Sequence, residues 1–442
     1  MPDPFDDLPR FDHAARRAAV LDQIGTGVAV FRAPAARVHA NDVEYRYRPD
    51  SDFYYLTGFA EPDAVAVLDG TADKERFVLF VQPRDPERET WTGKRAGVEG
   101  AVRDHGADAA YPMEEFAQRV TPLITRGGAL HYHLGYDEPF NLRMLEVARA
   151  AWAHRPRTAN DLPTSLLDTG PLVHDLRLYK SEAEIAWMRR AIAIAAEAHR
   201  AAMREARPGV WEHEIEALVE YVFRRSGAAG WAYPSIIAGG DNATVLHYTA
   251  NDAVLRDGEL LLIDAGDEFG YYCADITRTF PIGRDFTAAQ RRIFDLVLAA
   301  QRAAIDAVRP GVSLEDVHAR ALDVLVEGLL SLGVLTGSRE TVLKEGLFKP
   351  YYMHRTSHWL GMDVHDAGSY KREGRPRELE PGMVLTVEPG LYFARSLPGA
   401  PEEYRGIGVR IEDDVLVTAD GHEVLSAAVP KSAEDVLALK TA

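Results

Sequence analysis

The stretch LLIDAGDEFGYYCADITRTF, residues 261–280, places two aspartates, Asp264 and Asp275, inside runs that otherwise have the composition of core β-strands. An ionised carboxylate in apolar surroundings is unfavourable unless it is paired or bound to a metal ion. We expect a hairpin with its tip at residues 267–270, in which Asp264 lies opposite Cys273. Because side chains alternate between the two faces of a strand, Asp264 and Asp275 would then be diagonal neighbours on one face.

A divalent cation between these two aspartates would remove their mutual repulsion, which otherwise raises the pKa of one carboxyl group. The alternative is that both are exposed acids of a turn. Charged residues are rarely buried without a partner, and apolar residues flank each aspartate. The sequence therefore favours a buried acidic site that holds a metal ion.

Two glutamates further along the chain have the same unusual setting. Glu388 follows an apolar strand in MVLTVEPGLYF (383–393), and Glu412 lies inside another apolar run in GVRIEDDVLVT (408–418). Glutamate is depleted in buried strands, so its presence in both is informative. A buried salt bridge with Arg410 is an alternative for one glutamate, but it does not explain both together with the aspartates.

Three histidines lie between the acidic pairs in HRTSHWLGMDVHDAG: His354, His358 and His365. A single histidine is more often structural than a ligand, but three within twelve positions favour a site. Carboxylate ligands with one imidazole favour Mn²⁺, Co²⁺ or Zn²⁺. Two aspartates, two glutamates and one histidine supply more ligand atoms than one small ion uses. They suit two ions about 3.5–4 Å apart, bridged by carboxylates and a water.

The chain as a whole indicates two mixed α/β (α+β) domains, residues 1–175 and 176–442, because 442 residues exceed one ordinary domain. In the first domain, four stretches are typical of strands: GTGVAVFRA, DFYYLTGF, AVAVLDG and RFVLFVQP. Two others are typical of amphipathic helices: PMEEFAQRVTPLI and FNLRMLEVARAAWAHR. The second domain begins with a helix for which Ser181 and Glu184 form a capping box.

An internal repetition indicates that the second domain has two related halves. Arg-Pro-Gly-Val occurs at residues 207–210 and again at 309–312, each time between a long helical stretch and a helix with an acidic first turn. Each unit leads to strands with two carboxylates, the aspartates in the first and the glutamates in the second. Pro-Gly is a common helix terminator, so a chance match is the alternative.

Charge and composition argue against several classes of protein. The net formal charge of −18 does not suit binding to nucleic acid or to an anionic membrane, since either needs a basic face. The single cysteine, Cys273, permits neither an internal disulfide nor a thiolate metal cage. Residues 1–17 lack the apolar segment of a secretory signal, and no run approaches the roughly 18 apolar residues of a membrane-spanning helix. We therefore expect a soluble cytoplasmic protein.

The five candidate ligands, in this order and in these local sequences, resemble the dinuclear site of the pita-bread metallopeptidases, and the Xaa-Pro aminopeptidase (aminopeptidase P) family in particular. The resemblance rests on HWLGMDVHD (358–366), VEPGLY (387–392) and IEDDVLVT (411–418), and in the first domain on YRPDSDFYYLTGFAEPDAVAVL (47–68) and WTGKRAG (91–97). It implies a pseudo-symmetric C-terminal pita-bread domain with the metals between its halves. The smaller N-terminal domain would form oligomer contacts and narrow the active-site mouth.

The resemblance also implies roles for the ligands. Asp264 would bind one metal ion, and Asp275 and Glu412 would bridge two. His358 and Glu388 would complete the shell of the second ion. A hydroxide bridging the ions would attack the scissile carbonyl, and Glu388 would accept the proton of the water. Two divalent ions are expected, Mn²⁺ first, with Co²⁺ or Zn²⁺ as alternatives.

Five further residues would act on the substrate according to the same resemblance. His365 would contact the scissile peptide, and His247 would help to hold the tetrahedral intermediate. His354 would line the proline pocket, and Tyr392 and Arg410 are pocket or supporting candidates.

The implied activity is removal of the N-terminal residue from peptides with proline in the second position. Proline lacks an N–H and has a fixed φ, so most peptidases cannot bind this bond as an extended strand. The nearest alternative is a prolidase with the same ligands, although the N-terminal sequence favours the aminopeptidase. Methionine aminopeptidase normally lacks this N-terminal domain. A non-catalytic binding protein on the same fold would be expected to have lost ligands, and none is missing here.

The resemblance implies a homodimer or homotetramer. Trp91 would reach the active site of a neighbouring subunit, or else pack within its own domain.

Overall fold

The computed structural model describes residues 7–125, 128–153, 163 and 165–441. Contacts divide the chain into an N-terminal unit, Phe11–Arg177, and a C-terminal unit, Leu178–Ala442 together with the residues up to Arg10. Both units mix helices with strands, which confirms the predicted fold class. Within the described residues, no helix combines the length and the apolar character needed to cross a bilayer.

The N-terminal unit is built on a six-stranded mixed sheet with the order β6-β5-β4-β1-β7-β8. Its helices are α1 (His13–Ile24), α2 (Ser51–Thr57), α3 (Pro86–Thr92), α4 (Gly97–His105), α5 (Phe116–Leu123), α6 (Glu138–Ala153) and α7 (Gly170–Leu178). Its strands are β1 (Val28–Ala33), β2 (Val38–Ala40), β3 (Val43–Glu44), β4 (Ala64–Asp69), β5 (Phe77–Val81), β6 (Ala109–Pro112), β7 (Leu130–Tyr132) and β8 (Leu166–Leu167). Strands β2 and β3 pair separately from the sheet.

Most of the elements predicted for this unit are confirmed, but the strand predicted at DFYYLTGF is wrong. These residues lie mainly in helix α2. The Asp50 side chain accepts a hydrogen bond from Phe53 N–H at the start of the helix, and Gly58, in the left-handed conformation, ends it. The aromatic composition favoured a strand, but an N-cap and a C-terminal glycine at this spacing define a short helix.

The C-terminal unit contains two pairs of long helices and several small antiparallel sheets. Its helices are α8 (Glu182–Glu205), α9 (Glu212–Arg225), α10 (Ala288–Ala307), α11 (Leu314–Ser331), α12 (Arg339–Glu345) and α13 (Ala433–Thr441). Its strands are β9 (Gly230–Trp231), β10 (Ile236–Gly239), β11 (Leu260–Asp264), β12 (Asp267–Phe269), β13 (Tyr272–Cys273), β14 (Thr277–Pro281), β15 (Lys371–Arg372), β16 (Arg375–Pro376), β17 (Val384–Val387), β18 (Gly390–Phe393), β19 (Ile407–Arg410), β20 (Asp413–Val417) and β21 (His422–Val424). The sheets have the orders β10-β11-β14, β13-β12-β9, β17-β20-β21, β18-β19 and β15-β16.

The predicted repetition has a structural counterpart. Helices α8 and α9 pack against β11 and β14 in one apolar core, and α10 and α11 pack against β18 and β19 in another. Each helix pair is joined through its Arg-Pro-Gly-Val segment. The predicted capping box of α8 is present, since Ser181 Oγ accepts from Glu184 N–H and the Glu184 side chain accepts from Ser181 N–H.

The register predicted for the hairpin is wrong by four residues. The chain turns at Gly270 and Tyr271, whose φ values of +58° and +71° suit a two-residue turn between strands. Residues 267–269 therefore belong to strand β12, and Glu268 pairs with Cys273. The turn was not predicted because it contains Tyr271, and tyrosine is uncommon at positive φ.

The corrected register preserves the relationship on which the site depends. Asp264, at the end of β11, pairs with Thr277 in β14. Asp275 precedes Thr277 by two residues, so it remains a diagonal neighbour of Asp264. Both aspartates are buried, which excludes the alternative of exposed turn acids.

Candidate active site

The predicted ligands converge within the C-terminal unit. Asp275, His358 and Glu412 each offer a ligand atom, and these atoms lie within 4.8 Å of one another. His358 Nε2 is 3.3 Å from Asp275 Oδ2 and 3.7 Å from Glu388 Oε1. Asp264 is joined to Asp275 through Tyr233, whose hydroxyl lies 2.6 Å from Asp264 Oδ1 and 2.5 Å from Asp275 Oδ1. The structure thus brings together residues more than a hundred positions apart in the sequence.

Thr277 connects the aspartates of the first half to Glu412 of the second. Its hydroxyl donates to Glu412 Oε2 at 2.6 Å, and its carbonyl oxygen accepts from Glu412 N–H at 3.1 Å. The same hydroxyl accepts from Arg410 Nε at 3.2 Å. These bonds fix the carboxylate of Glu412 beside the strand that follows Asp275.

Backbone bonding fixes His358 and Glu388 beside each other. Thr386 N–H donates to the His358 carbonyl oxygen at 3.0 Å, and Glu388 N–H donates to the Thr356 carbonyl oxygen at 2.8 Å. The His358 ring is oriented by Nδ1, which lies 3.0 Å from the Trp359 carbonyl oxygen. A carbonyl oxygen can only accept, so Nδ1 carries a proton.

The charges of this cluster are unfavourable without a cation. Burial raises the pKa of Glu388 to about 7. Burial, and then the charge of Asp275, raise the pKa of Glu412 well above its usual value. Burial lowers the pKa of His358, but the hydrogen bond to Asp275 and the charge of Glu388 outweigh it and raise the value to about 9. The protein therefore holds protons where a metal ion would otherwise balance the charge.

The residues present fit a divalent metal site. With a proton on Nδ1, neutral His358 would direct the Nε2 lone pair at the carboxylates of Asp275 and Glu388. That contact requires either a proton on Nε2, which the raised pKa of His358 provides in the metal-free protein, or a metal ion between the groups. A ligating histidine usually donates its other N–H to a carbonyl or carboxylate, as His358 does here. A set of carboxylates with one imidazole suits a hard or borderline ion.

The ion pair of Arg410 is made with Asp264, so the alternative that it neutralises Glu388 or Glu412 is not what the structure shows. Arg410 Nη2 lies 2.5 Å from Asp264 Oδ2, and both side chains are largely buried. Arg410 Nη1 also donates to the Tyr392 hydroxyl at 3.0 Å. Arg410 therefore holds one candidate ligand, Asp264, and the hydroxyl of Tyr392 in place.

His354 is the end of this hydrogen-bonded chain. Its Nδ1 lies 2.8 Å from the Arg355 carbonyl oxygen and must donate to it. Its Nε2, 2.8 Å from the Tyr392 hydroxyl, then accepts from that group. Burial, and then the charge of Arg410, lower the pKa of His354 to about 3. The ring is therefore neutral, with both nitrogens occupied.

The five candidate ligands, His354 and Arg410 line one cavity of about 920 Å³, whereas Tyr392 is not among its lining residues. His247 and His365 belong to its wall, and the His365 ring centre is 4.4 Å from that of His358 in an edge-to-face arrangement. Burial, and then the charge of His358, lower the pKa of His365. The other lining residues include Leu314, His318, Arg355, Val364, Tyr370, Lys371 and Pro376.

The sequence did not reveal Tyr233 or Thr277 as part of the site. One O–H cannot donate to two carboxylates at once, so the hydroxyl of Tyr233 relieves only part of the repulsion between Asp264 and Asp275. Burial, and then the charge of Asp264, raise the pKa of Tyr233 well above its usual value, which keeps that proton in place. Neither residue stands in a recognisable motif, since both reach the site through tertiary contacts.

The fold and the acidic cluster together define a metallopeptidase. Residues 186–419 match the sequence model of metallopeptidase family M24, and residues 13–131 match that of the aminopeptidase P N-terminal domain. The chain belongs to metallopeptidase family M24. This confirms the family and the pita-bread fold predicted from the sequence.

The similarity to known proteins extends over almost the whole chain. The chain is 42% identical to the Xaa-Pro aminopeptidase of Escherichia coli K12 over 439 residues, 99% of either protein. It is similar to the aminopeptidase PepP of Pseudomonas aeruginosa, with a TM-score of 0.94, 44% identity and 97% of each chain covered. Zinc-substituted E. coli aminopeptidase P in complex with product gives a TM-score of 0.93, 41% identity and the same coverage. These matches support a metallo-aminopeptidase that uses divalent metal, and they do not favour a prolidase.

Proposed function

We propose that this protein releases the N-terminal residue from peptides whose second residue is proline, and that it uses two divalent ions, Mn²⁺ in preference to Co²⁺ or Zn²⁺. The observation that supports this most is the acidic cluster around His358 in the wall of a cavity large enough for a peptide. The names of the relatives supply the class of substrate.

The residues that would hold the ions are Asp264, Asp275, His358, Glu388 and Glu412. Divalent ions bound there would lower the pKa of a bound water and polarise the scissile carbonyl. The five side chains supply enough oxygen and nitrogen atoms for two ions, and we assign Asp275 and Glu412 as the residues that both ions would share.

Glu388 acts as the general base. Its carboxylate lies in the acidic cluster, with Oε1 3.7 Å from His358 Nε2, where the attacking water would be bound. It takes the proton of the water as the oxygen adds to the carbonyl carbon. The same proton passes to the proline nitrogen as the C–N bond breaks, so the carboxylate is regenerated.

Two imidazoles stabilise the charge that develops on the carbonyl oxygen. His365 and His247 line the cavity, and each can donate one N–H towards an anionic oxygen. Burial lowers the pKa of His365, which favours its neutral form.

The proline ring packs against His354. This ring is fixed between the Arg355 carbonyl and the Tyr392 hydroxyl, and Tyr352 lies edge-on to it with ring centres 5.0 Å apart. Such a rigid, neutral surface does not require an N–H donor from the substrate, and proline has none to offer.

The activity is tested on metal-stripped protein with an Xaa-Pro-Yaa tripeptide, its Xaa-Pro dipeptide and a matched Xaa-Ala-Yaa peptide, each with and without Mn²⁺. Mn²⁺-dependent release of the first residue from the proline tripeptide, with the other two much slower, is the expected result. Faster cleavage of the dipeptide would make the protein a prolidase. Metal binding without hydrolysis of any peptide would indicate a non-catalytic metal protein. Replacing Mn²⁺ by Co²⁺ or Zn²⁺ in the same assay tests the choice of ion.

We further propose a cytoplasmic homodimer or homotetramer, in which residues 1–175 form the domain that supplies subunit contacts and residues 176–442 the catalytic domain. Trp91 is 86% exposed, and no residue of α3 is buried, so it does not pack within its own domain. Light scattering of the wild type and of Trp91→Ala tests this proposal. A monomeric wild type would contradict it.

A further inference from the structure

A buried ion pair lies behind the histidines of the site. Lys180 Nζ is 3.0 Å from Asp366 Oδ2, and each side chain is 1% exposed. A buried ion pair is weak evidence for stability, since an apolar pair of similar volume often does as well or better. Its position therefore matters more than its contribution to folding.

Asp366 closes the loop that carries both histidines, residues 358–366. Its N–H donates to the Trp359 carbonyl oxygen at 3.0 Å, and Asp363 N–H lies 3.3 Å from its Oδ1. The same Trp359 oxygen accepts from His358 Nδ1 at 3.0 Å. One carbonyl thus joins the ring of His358 to the backbone of Asp366.

The loop packs directly on this carboxylate. A Cβ atom added to Gly361 would lie 2.1 Å from Asp366 Oδ2 and 2.9 Å from Lys180 Cε. The Gly361 carbonyl oxygen in turn accepts from Cys273 N–H, two residues before Asp275. The ion pair therefore sits between this loop and the strand that leads to the aspartates.

Lys180 is itself held in place. Its N–H donates to the Gly382 carbonyl oxygen at 2.8 Å, and it directly precedes Ser181, the N-cap of α8. The Lys180 ammonium is therefore fixed at the start of a long helix. Through it, the loop 358–366 is bound to a segment of the chain that is distant in sequence.

We propose that Lys180 and Asp366 are positioning residues, which orient the loop 358–366 so that His358 Nε2 faces the carboxylates and His365 faces the cavity. This rests on the proposed function, in which His358 binds metal and His365 contacts the substrate. Neither Lys180 nor Asp366 lines the cavity. They act through the Trp359 carbonyl and the packing of Gly361.

The test replaces both charges together, because a single substitution would leave the other charge buried without this partner. For Lys180→Met with Asp366→Asn, Mn²⁺ affinity is measured by calorimetry on metal-free protein, and kcat and KM on an Xaa-Pro-Yaa tripeptide. We expect Mn²⁺ binding to weaken by about 10- to 100-fold. We also expect kcat to fall by about 10-fold or more, with little change in KM.

A matched control removes a buried pair in the N-terminal unit, Arg177→Met with Asp52→Asn, whose charged atoms lie 2.8 Å apart. It should leave Mn²⁺ affinity as in the wild type. A folded Lys180→Met/Asp366→Asn variant with wild-type Mn²⁺ affinity and kcat would overturn the proposal.

If that variant does not fold, Gly361→Ala displaces Asp366 while keeping both charges. It must then weaken Mn²⁺ binding similarly, and wild-type affinity would overturn the proposal. If the wild type binds Mn²⁺ but cleaves no peptide, the proposed function fails, while the comparison of Mn²⁺ affinities still decides the role of the pair.

Discussion

Thr277 and Glu412 are joined by two hydrogen bonds, one from hydroxyl to carboxylate at 2.6 Å and one from the Glu412 N–H to the Thr277 carbonyl oxygen at 3.1 Å. Thr277 begins β14, and Glu412 lies between β19 and β20. The acids of the two halves are therefore placed by a direct contact, and this contact can be tested separately from the ligands.

Thr277→Val keeps the shape of the side chain but removes the hydroxyl. It leaves Glu412 Oε2 without its donor and Arg410 Nε without its acceptor, in a position that is fully buried. We expect the free energy of unfolding to fall by about 1–3 kcal/mol, and Mn²⁺ binding to weaken by about 10-fold. Urea unfolding and calorimetry measure the two effects. Thr277→Ser, which keeps the hydroxyl, should stay close to the wild type, and equal losses in both variants would contradict the argument.

Tyr233→Phe removes the hydroxyl that lies between Asp264 and Asp275. The metal-free protein should lose about 1–3 kcal/mol of stability, because no hydroxyl then lies between the Oδ1 atoms of these two buried carboxylates. Saturating Mn²⁺ should recover most of this loss, since the cation itself balances the carboxylates. Thermal unfolding with chelator and with Mn²⁺ gives the comparison. Tyr221→Phe, at a residue 60% exposed, serves as the control and should have no effect in either condition.

The stability of the metal-free protein should fall as the pH rises. Folding raises the pKa of Glu388 from 4.5 to about 7 and that of His358 from 6.5 to about 9. A group with a raised pKa stabilises the fold below its unfolded value, and this contribution is lost as pH rises through the folded value. Between pH 6 and pH 9 the two shifts together correspond to a loss of about 4 kcal/mol.

Guanidinium unfolding of chelated protein at several pH values measures this loss. The Mn²⁺-loaded protein is the control, because the ion occupies the place of the protons and its affinity rises with pH. A metal-free stability that stays constant from pH 6 to pH 9 would show that neither group is perturbed as described.

Tyr392→Phe breaks the chain between His354 and Arg410 without removing a proposed metal ligand. His354 Nε2 loses its donor and Arg410 Nη1 loses an acceptor. We expect kcat/KM on the proline tripeptide to fall by about 10-fold, the equivalent of one unpaired buried group, with Mn²⁺ affinity unchanged. Tyr351→Phe, a neighbouring buried tyrosine outside this chain, should retain activity. A fall in Mn²⁺ affinity for Tyr392→Phe would place the effect at Asp264 instead.

The candidate ligands could be found from the sequence because acids in apolar strands are chemically conspicuous. The hairpin register could not be predicted from the sequence. Tyr271 is not a typical turn residue, although it has a positive φ, whereas residues 267–270 have the composition of a turn but lie mainly in a strand. Helix α2 was not predicted because its aromatic composition is typical of a strand. The N-cap Asp50 and the C-terminal Gly58 outweigh that preference and define a short helix.

The supporting residues were beyond reach for a different reason. Tyr233, Thr277 and Lys180 act through contacts with residues 31 or more positions away. No local pattern records such contacts. The Lys180–Asp366 pair in particular joins the start of α8 to a loop that is distant in sequence.

The two-half construction has a consequence for synthesis on the ribosome. Asp264 and Asp275 emerge more than a hundred residues before Glu388 and Glu412. Until the later strands are made, the nascent chain has neither the His358 imidazole nor the Glu412 N–H that caps the Thr277 carbonyl. The five candidate ligands are therefore brought together only after Glu412 has been synthesised, so metal binding by the whole set follows the synthesis of both halves.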